Sequence, residues 1–365
     1  MPAFINAIGT SLPPFVTDQA KIADFMVRHL KLSDEEGRKL KILYRASGIQ
    51  KRYSVLEDFG KNLNGRSFFK EDQVFPSAKP RMLLYQKHAL SLAVAAATQA
   101  IKGADASPEE FTHVIAVSCT GMYAPGIDIE LIEQLGLPTD AERTSINFMG
   151  CYAAFNALKA AANIVNAHPT AKVLIVCVEL CSIHLQEKTD DENLLANAIF
   201  GDGAAAVVVS GSHKHRSLEL TRFYSDLALN GKKEMGWYIG DYGFEMRLTS
   251  QVPDVIKEGI SELTGRLLSK INLELADIDF YAIHPGGKRI LEVIEEQLGI
   301  SKVQNDAARM VLKEYGNMSS PTVLFVLQSI IDRLGDADQD KHILSFAFGP
   351  GLTLESAVLK VHVDA

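Results

Sequence analysis

Two kinds of hydrophobic pattern alternate along this chain. Val173–Leu180 (VLIVCVEL) and Ala204–Val209 (AAAVVV) are apolar without a polar alternate, as in strands covered on both faces by other elements. Leu131–Leu137 (LIEQLGL) and Ile294–Ile300 (IEEQLGI) carry apolar residues at helical spacing and then meet a glycine, the usual residue for closing a helix in the left-handed conformation. Thr322–Ile331 (TVLFVLQSII) and the alanine-rich stretch after Cys151 also read as helices. Strands alternating with helices predict an α/β chain.

The same patterns recur in the same order in each half. Thr112–Gly121 matches Ile278–Gly287, each an apolar strand ending in a small polar turn, and the two glycine-stopped helices follow them. Asn147–Cys151 before its helix matches Gly316–Ser320 before Thr322–Ile331, and Phe200–Ser210 matches Phe348–Val358. One such match is common, but four in register imply a duplicated unit. The sequence therefore predicts two similar α/β halves, 1–213 and 214–365, related by a pseudo-twofold axis and stacked as an αβαβα sandwich. No low-complexity linker separates them, so an extensive shared interface is expected.

Composition narrows the class. With 365 residues, 47% of them hydrophobic, the chain can bury a large core. A net charge of −8 opposes a nucleic-acid or anionic-membrane partner. No apolar run reaches the ~18 residues of a membrane span, and no secretion signal opens the chain, so a cytoplasmic setting is expected. One local exception is Arg38, Lys39, Lys41, Arg45, Lys51 and Arg52, which form either a solvated basic helix face or a patch that holds a compact polyanion. The four cysteines, Cys119, Cys151, Cys177 and Cys181, lie in or beside apolar segments and read as buried thiols or a nucleophile. Cys177 and Cys181 share an apolar strand, which separates them too far for one metal ion, so no metal site is expected.

The chemistry gathers at the repeated turns. Cys151, behind Gly150, stands where a strand gives way to a helix, and the matching turn of the second half offers Asn317. A pseudo-twofold axis brings both toward one site. The partial positive charge of a helix N-terminus is expected to lower the thiol pKa. His284 ends the strand Phe280–His284 ahead of Pro285, and an imidazole beside such a thiol is expected to form a nucleophilic ion pair with it.

Gly150–Ala154 (GCYAA), Ile283–Gly287 (IHPGG), Tyr315–Thr322 (YGNMSSPT) and Phe348–Thr353 (FGPGLT) together resemble the signatures of the type III polyketide synthases, the chalcone synthase-like branch of the thiolase fold, over the length of the chain. The resemblance implies Cys151 as the acyl-carrying nucleophile of a Cys-His-Asn triad with His284 and Asn317. It implies an acyl-CoA starter and malonyl-CoA as substrates, a homodimer, and no metal or redox cofactor. Two rival readings are a single-condensation ketoacyl synthase, against which the third and fourth stretches of the signature speak, and a non-catalytic acyl-CoA-binding protein on the same scaffold, against which the intact Cys-His-Asn trio speaks.

The resemblance also assigns a cavity. Phe200 matches one aromatic gatekeeper, and Met246 stands where the plant pattern has the other, a flexible thioether in place of a ring. Cys119, Thr120 and Ser319 match small polar lining positions, and His184 replaces a threonine. Ala124 replaces a methionine that in the family reaches the partner's cavity. Trp237 falls near a glycine that governs starter size, where it either walls off that pocket or, rotated, lines another. Cys119 reads as a small buried residue in preference to a second nucleophile. These departures favour the bacterial type of enzyme over a chalcone or stilbene former. For coenzyme A, Lys39 matches a phosphate-contacting position, Lys41 and Arg45 stand one step from two others, and Gly286 and Gly287 flank the entrance.

Overall fold

The structure, a computed structural model, describes residues 2–62, 65–70 and 74–363. Its first half contains the strands β1 (Phe4–Ser11), β2 (Phe15–Asp18), β3 (Lys51–Ser54), β4 (His113–Ser118), β5 (Glu142–Asn147), β6 (Lys172–Leu180) and β7 (Asp202–Ser210). The second contains β8 (Ser217–Leu227), β9 (Met235–Gly240), β10 (Gly243–Leu248), β11 (Phe280–Ile283), β12 (His342–Gly349) and β13 (Thr353–His362). The helices are α1 (Gln19–His29), α2 (Asp34–Ala46), α3 (Ala78–Gly103), α4 (Ile127–Leu135), α5 (Ala153–Ala167), α6 (Asp191–Ile199), α7 (Val252–Ser269), α8 (Lys288–Leu298), α9 (Asp306–Tyr315) and α10 (Thr322–Ile331).

Among the described residues, nine strands form one mixed sheet in the order β11-β12-β13-β8-β1-β7-β6-β4-β5. The joint is narrow, because β1 and β8 are matched only at Phe4↔Glu219 and Ile5↔Leu218. Outward from it the two wings repeat in order and direction: β1 with β8, β7 with β13, β6 with β12, and β4 with β11. The repeat is imperfect, since β5 extends the first wing and no strand occupies that place beside β11. The glycine stops behave as the pattern predicts, with Gly136 and Gly299 closing α4 and α8 at φ 66° and 65°.

Helices α5 and α10 form the middle layer. α5 packs on β4, β6 and β7 and reaches β8 of the other wing, while α10 packs on β11 and reaches β7 and β1. This crossing explains why neither wing's core is separable, and it brings the N-terminal ends of both helices to the centre. β7 is buried throughout and β6 everywhere but at Lys172, in keeping with the apolar runs Ala204–Val209 and Val173–Val178 that they contain. Among the described residues no helix is long and apolar enough to cross a membrane.

The basic segment divides between two elements. Arg38, Lys39, Lys41 and Arg45 lie on α2, whereas Lys51 and Arg52 lie on β3. Arg52 is buried and donates to the carbonyls of Asn197 (2.9 Å) and Phe200 (2.6 Å), which removes it from any surface patch.

Candidate active site

The turn that carries Cys151 is shaped by two residues in the left-handed region, Phe148 (φ 58°) and Gly150 (φ 79°), which fold the chain back after β5 and start α5. Glycine is required at 150, because a Cβ there would stand 2.6 Å from Pro350 Cδ. The FGPG stretch is thus the wall against which Gly150 and Cys151 are set. Cys119 completes the support, its Sγ accepting the Gly150 N–H at 3.0 Å.

Cys151 Sγ lies 3.8 Å from Asn317 Nδ2. The Asn317 amide is oriented by its other atom, since Oδ1 accepts the Ser319 N–H at 2.8 Å, and Nδ2 also donates to Gly286 O at 3.3 Å. Gly286 carries the connection to His284, whose Nε2 is 3.7 Å from where a Gly286 Cβ would stand. His284 is buried at the end of β11, and its ring nitrogens have no hydrogen-bond partner among the described residues. The cysteine and the amide therefore meet, and the Gly286 carbonyl ties the amide to the turn that follows His284, each at the end of a different element.

Electrostatics differ from the sequence expectation. Burial pushes the Cys151 thiol up to about 11, and the hydrogen bonds from Ser319 and Asn317 lower it only in part. Burial likewise pushes the His284 imidazole down to about 3. Desolvation outweighs the helix terminus, so the resting pair is a neutral thiol and a neutral imidazole, not the expected ion pair.

Cys151 opens on a largely apolar cavity, with about 930 Å³ of empty space including its mouth. Of the residues expected to line a cavity, Cys119, Thr120, His184, Phe200, Trp237, Met246 and Ser319 line this one, while Ala124, which stands where the family's residue reaches the partner's cavity, does not. Ala124 is exposed and borders a separate surface groove with Tyr85 and Met122, because the loop after β4 turns outward. Trp237 and Met246 face each other across the β9–β10 hairpin. The cavity also extends past Cys181 to Ile22, Phe59 and Leu185, a reach that no local pattern in the chain marks.

The proposed coenzyme A residues lie elsewhere. Lys39 is paired with Glu35 (2.7 Å), Lys41 with Asp24 (2.6 Å), and Arg45 donates to Lys41 O. None of the three lines the cavity, and Lys39 and Lys41 are each held by an acidic side chain at the surface. Gly286 and Gly287 form the turn into α8, with Gly287 at its N-cap.

Two features escaped the sequence reading. Glu179 is fully buried and accepts from Thr120 Oγ1 and Ser320 Oγ, both at 2.7 Å, tying the loop after β4 to the loop before α10; burial pushes its carboxyl up. A lone acid within the apolar run Val173–Leu180 was its signal. His184 is not a free cavity group. Its Nδ1 accepts the Phe244 N–H at 2.9 Å and its Nε2 donates to Thr120 O at 2.7 Å, which fixes the neutral tautomer, and burial pushes its pKa down to about 3.

Residues 1–213 match the model of the N-terminal domain of chalcone and stilbene synthases, and residues 221–362 that of the C-terminal domain. The chain is 32% identical over 364 residues to the alpha-pyrone synthesis polyketide synthase-like Pks18 of Mycobacterium tuberculosis, covering 98% of this chain and 91% of that one. It is similar in structure to PKS-I from the brown alga Ectocarpus siliculosus (TM-score 0.92, 31% identity, 99% and 98% coverage). It is also similar to the C-terminal type III polyketide synthase domain of Steely1, a type I/III hybrid from Dictyostelium (TM-score 0.90, 29% identity, 99% of each chain).

Proposed function

The chain belongs to the chalcone and stilbene synthase family, the type III polyketide synthases, and from this premise we propose that it extends an acyl-CoA starter with several malonyl-CoA units and releases a cyclised pyrone or phenolic product. The observation that carries this reading is the Cys151 thiol held 3.8 Å from the Asn317 amide at the wall of an apolar cavity.

His284 accepts the Cys151 proton as sulfur attacks the starter thioester; the bond to coenzyme A breaks, coenzyme A leaves as its thiol, and the acyl group stays on Cys151. Malonyl-CoA then loses carbon dioxide, and the electron pair of the broken carbon–carbon bond becomes an enolate. Asn317 Nδ2 and His284 Nε2–H are the donors for its oxygen. The enolate carbon attacks the Cys151 thioester, the carbon–sulfur bond breaks, and the chain, two carbons longer, is ready for reloading. Lactone closure or intramolecular condensation ends the sequence.

The apolar reach toward Ile22, Phe59 and Leu185 supports an aliphatic starter. A homodimer is supported by the exposed edge strand β5 and the exposed Met122, Ile129 and Met149 near it, since an uncovered edge invites pairing. The test is to incubate the purified chain with malonyl-CoA, alone and with acyl-CoA starters of graded length, and to weigh the products. Masses raised by several acetate units are expected. A single extension would support a ketoacyl synthase instead, and unconsumed malonyl-CoA a binding protein.

A further inference from the structure

The dipeptide Cys119–Thr120 supports the nucleophile's turn, and its backbone is held on every side. Both N–H groups donate to the Glu179 carboxylate, at 2.9 Å from Cys119 and 3.1 Å from Thr120. Both carbonyls are held by ring N–H groups: Trp237 Nε1 donates to Cys119 O at 2.7 Å, and His184 Nε2 to Thr120 O at 2.7 Å. The rings brace one another. His184 meets Trp237 edge-on with centroids 5.6 Å apart, and Phe244 stacks on His184 at 4.5 Å while meeting Trp237 edge-on at 5.9 Å. From this turn the Cys119 thiol receives the amide of Gly150, next to Cys151.

We propose that Trp237 and His184 are positioning residues that clamp the Cys119–Thr120 turn and, through the Gly150 amide, hold Cys151 in line while keeping water off its thioester, so that condensation outruns hydrolysis. A buried carbonyl stripped of its donor recruits water where the space allows it. Here that water would stand beside the acyl group. Its oxygen would attack the thioester carbon, the carbon–sulfur bond would break, a carboxylic acid would leave, and the proton would return to Cys151. An imidazole in a reaction cavity ordinarily invites a role as acid or base, but both nitrogens of His184 are committed to backbone groups, and its contribution is geometric.

The proposal rests on the polyketide synthase reading for the reaction it protects, and one arm of its test does not. Trp237→Phe keeps a ring and loses the donor; His184→Leu loses both bonds; His184→Gln retains an amide able to donate to Thr120 O and to accept from Phe244 N. With acyl-CoA alone, mass spectrometry of the intact chain gives the lifetime of the acyl group on Cys151. Trp237→Phe and His184→Leu should load normally and shorten that lifetime roughly tenfold, with kcat for extension falling in step and KM for malonyl-CoA within about twofold of the parent. His184→Gln should return lifetime and kcat to within about threefold of the parent. In the second arm, iodoacetamide labelling should leave Cys119 protected in the parent and in His184→Gln but modify it in the other two variants. Parental lifetime, kcat and labelling in Trp237→Phe and His184→Leu would overturn the clamp, as would a His184→Gln variant as impaired as His184→Leu. If the parent takes up no acyl group, the enzymatic reading fails by itself, and the labelling of Cys119 alone decides the clamp.

Discussion

Phe200 and Asn317 are joined in a parallel bridge that crosses the two wings: Gly201 N–H donates to Asn317 O and Asn317 N–H to Ile199 O, each at 2.9 Å. The aromatic residue on the cavity wall and the amide beside the nucleophile are therefore registered by backbone, not by side-chain packing. Arg52 reinforces the bridge from within by holding the Phe200 carbonyl.

Cys151→Ala should abolish acyl loading and product formation, lowering turnover by roughly 10³-fold or more, because no other group takes the acyl chain. Decarboxylation of malonyl-CoA should survive in part, since His284 and Asn317 remain. Intact mass and carbon dioxide release measure the two separately. Full product formation by this variant would refute the mechanism.

Asn317→Ala should depress decarboxylation and condensation together, by about 10²-fold or more, as expected for loss of one donor to a developing oxyanion. It also frees the Ser319 N–H, which Asn317 Oδ1 now accepts. Steady-state rates of both half-reactions decide the matter. A variant that loses condensation alone would confine Asn317 to the second step.

The pH dependence of Cys151 alkylation follows from its environment. Burial holds the thiol near 11, so it is protonated at neutral pH and its thiolate fraction grows as pH rises. The iodoacetamide rate at Cys151 in the resting protein should climb about tenfold per unit between about pH 7 and about pH 9 without levelling. A plateau in that range would mean a preformed thiolate–imidazolium pair.

Arg81 is wholly buried and holds the carbonyls of Ile183, Leu185 and Pro76, around the turn that carries His184. Arg81→Leu leaves two buried acceptors, the carbonyls of Ile183 and Leu185, and the half-buried carbonyl of Pro76 without their donor and should cost roughly 3 kcal/mol of folding stability. Chemical denaturation of the two proteins measures it, and a loss well under 1 kcal/mol would show that these carbonyls find other donors.

Legibility followed the range of the interaction. The glycine stops at Gly136 and Gly299, the helix Thr322–Ile331 and the buried strands β6 and β7 were written in local periodicity, because helix closure and two-sided burial leave marks within a few residues. Cys151, His284 and Asn317 could be singled out because each ends a repeated strand-and-turn pattern. The charged surface of α2 could not be read in the same way, since the partner of Lys41, Asp24, belongs to another helix.

By itself the amino-acid sequence determined the order of elements, their duplication and the residue types brought to the turns, because periodicity, glycine and the strand-to-helix junction are local. Tertiary structure alone decided the charge state of the site and the use made of its neighbours. Enclosure holds the Cys151 thiol protonated and the His284 imidazole neutral, and contacts spanning the chain make the lining residues Trp237 and His184 donors for one turn as well. Desolvation and hydrogen-bond pairing depend on what surrounds a group in space, and most of what surrounds these groups comes from far along the chain.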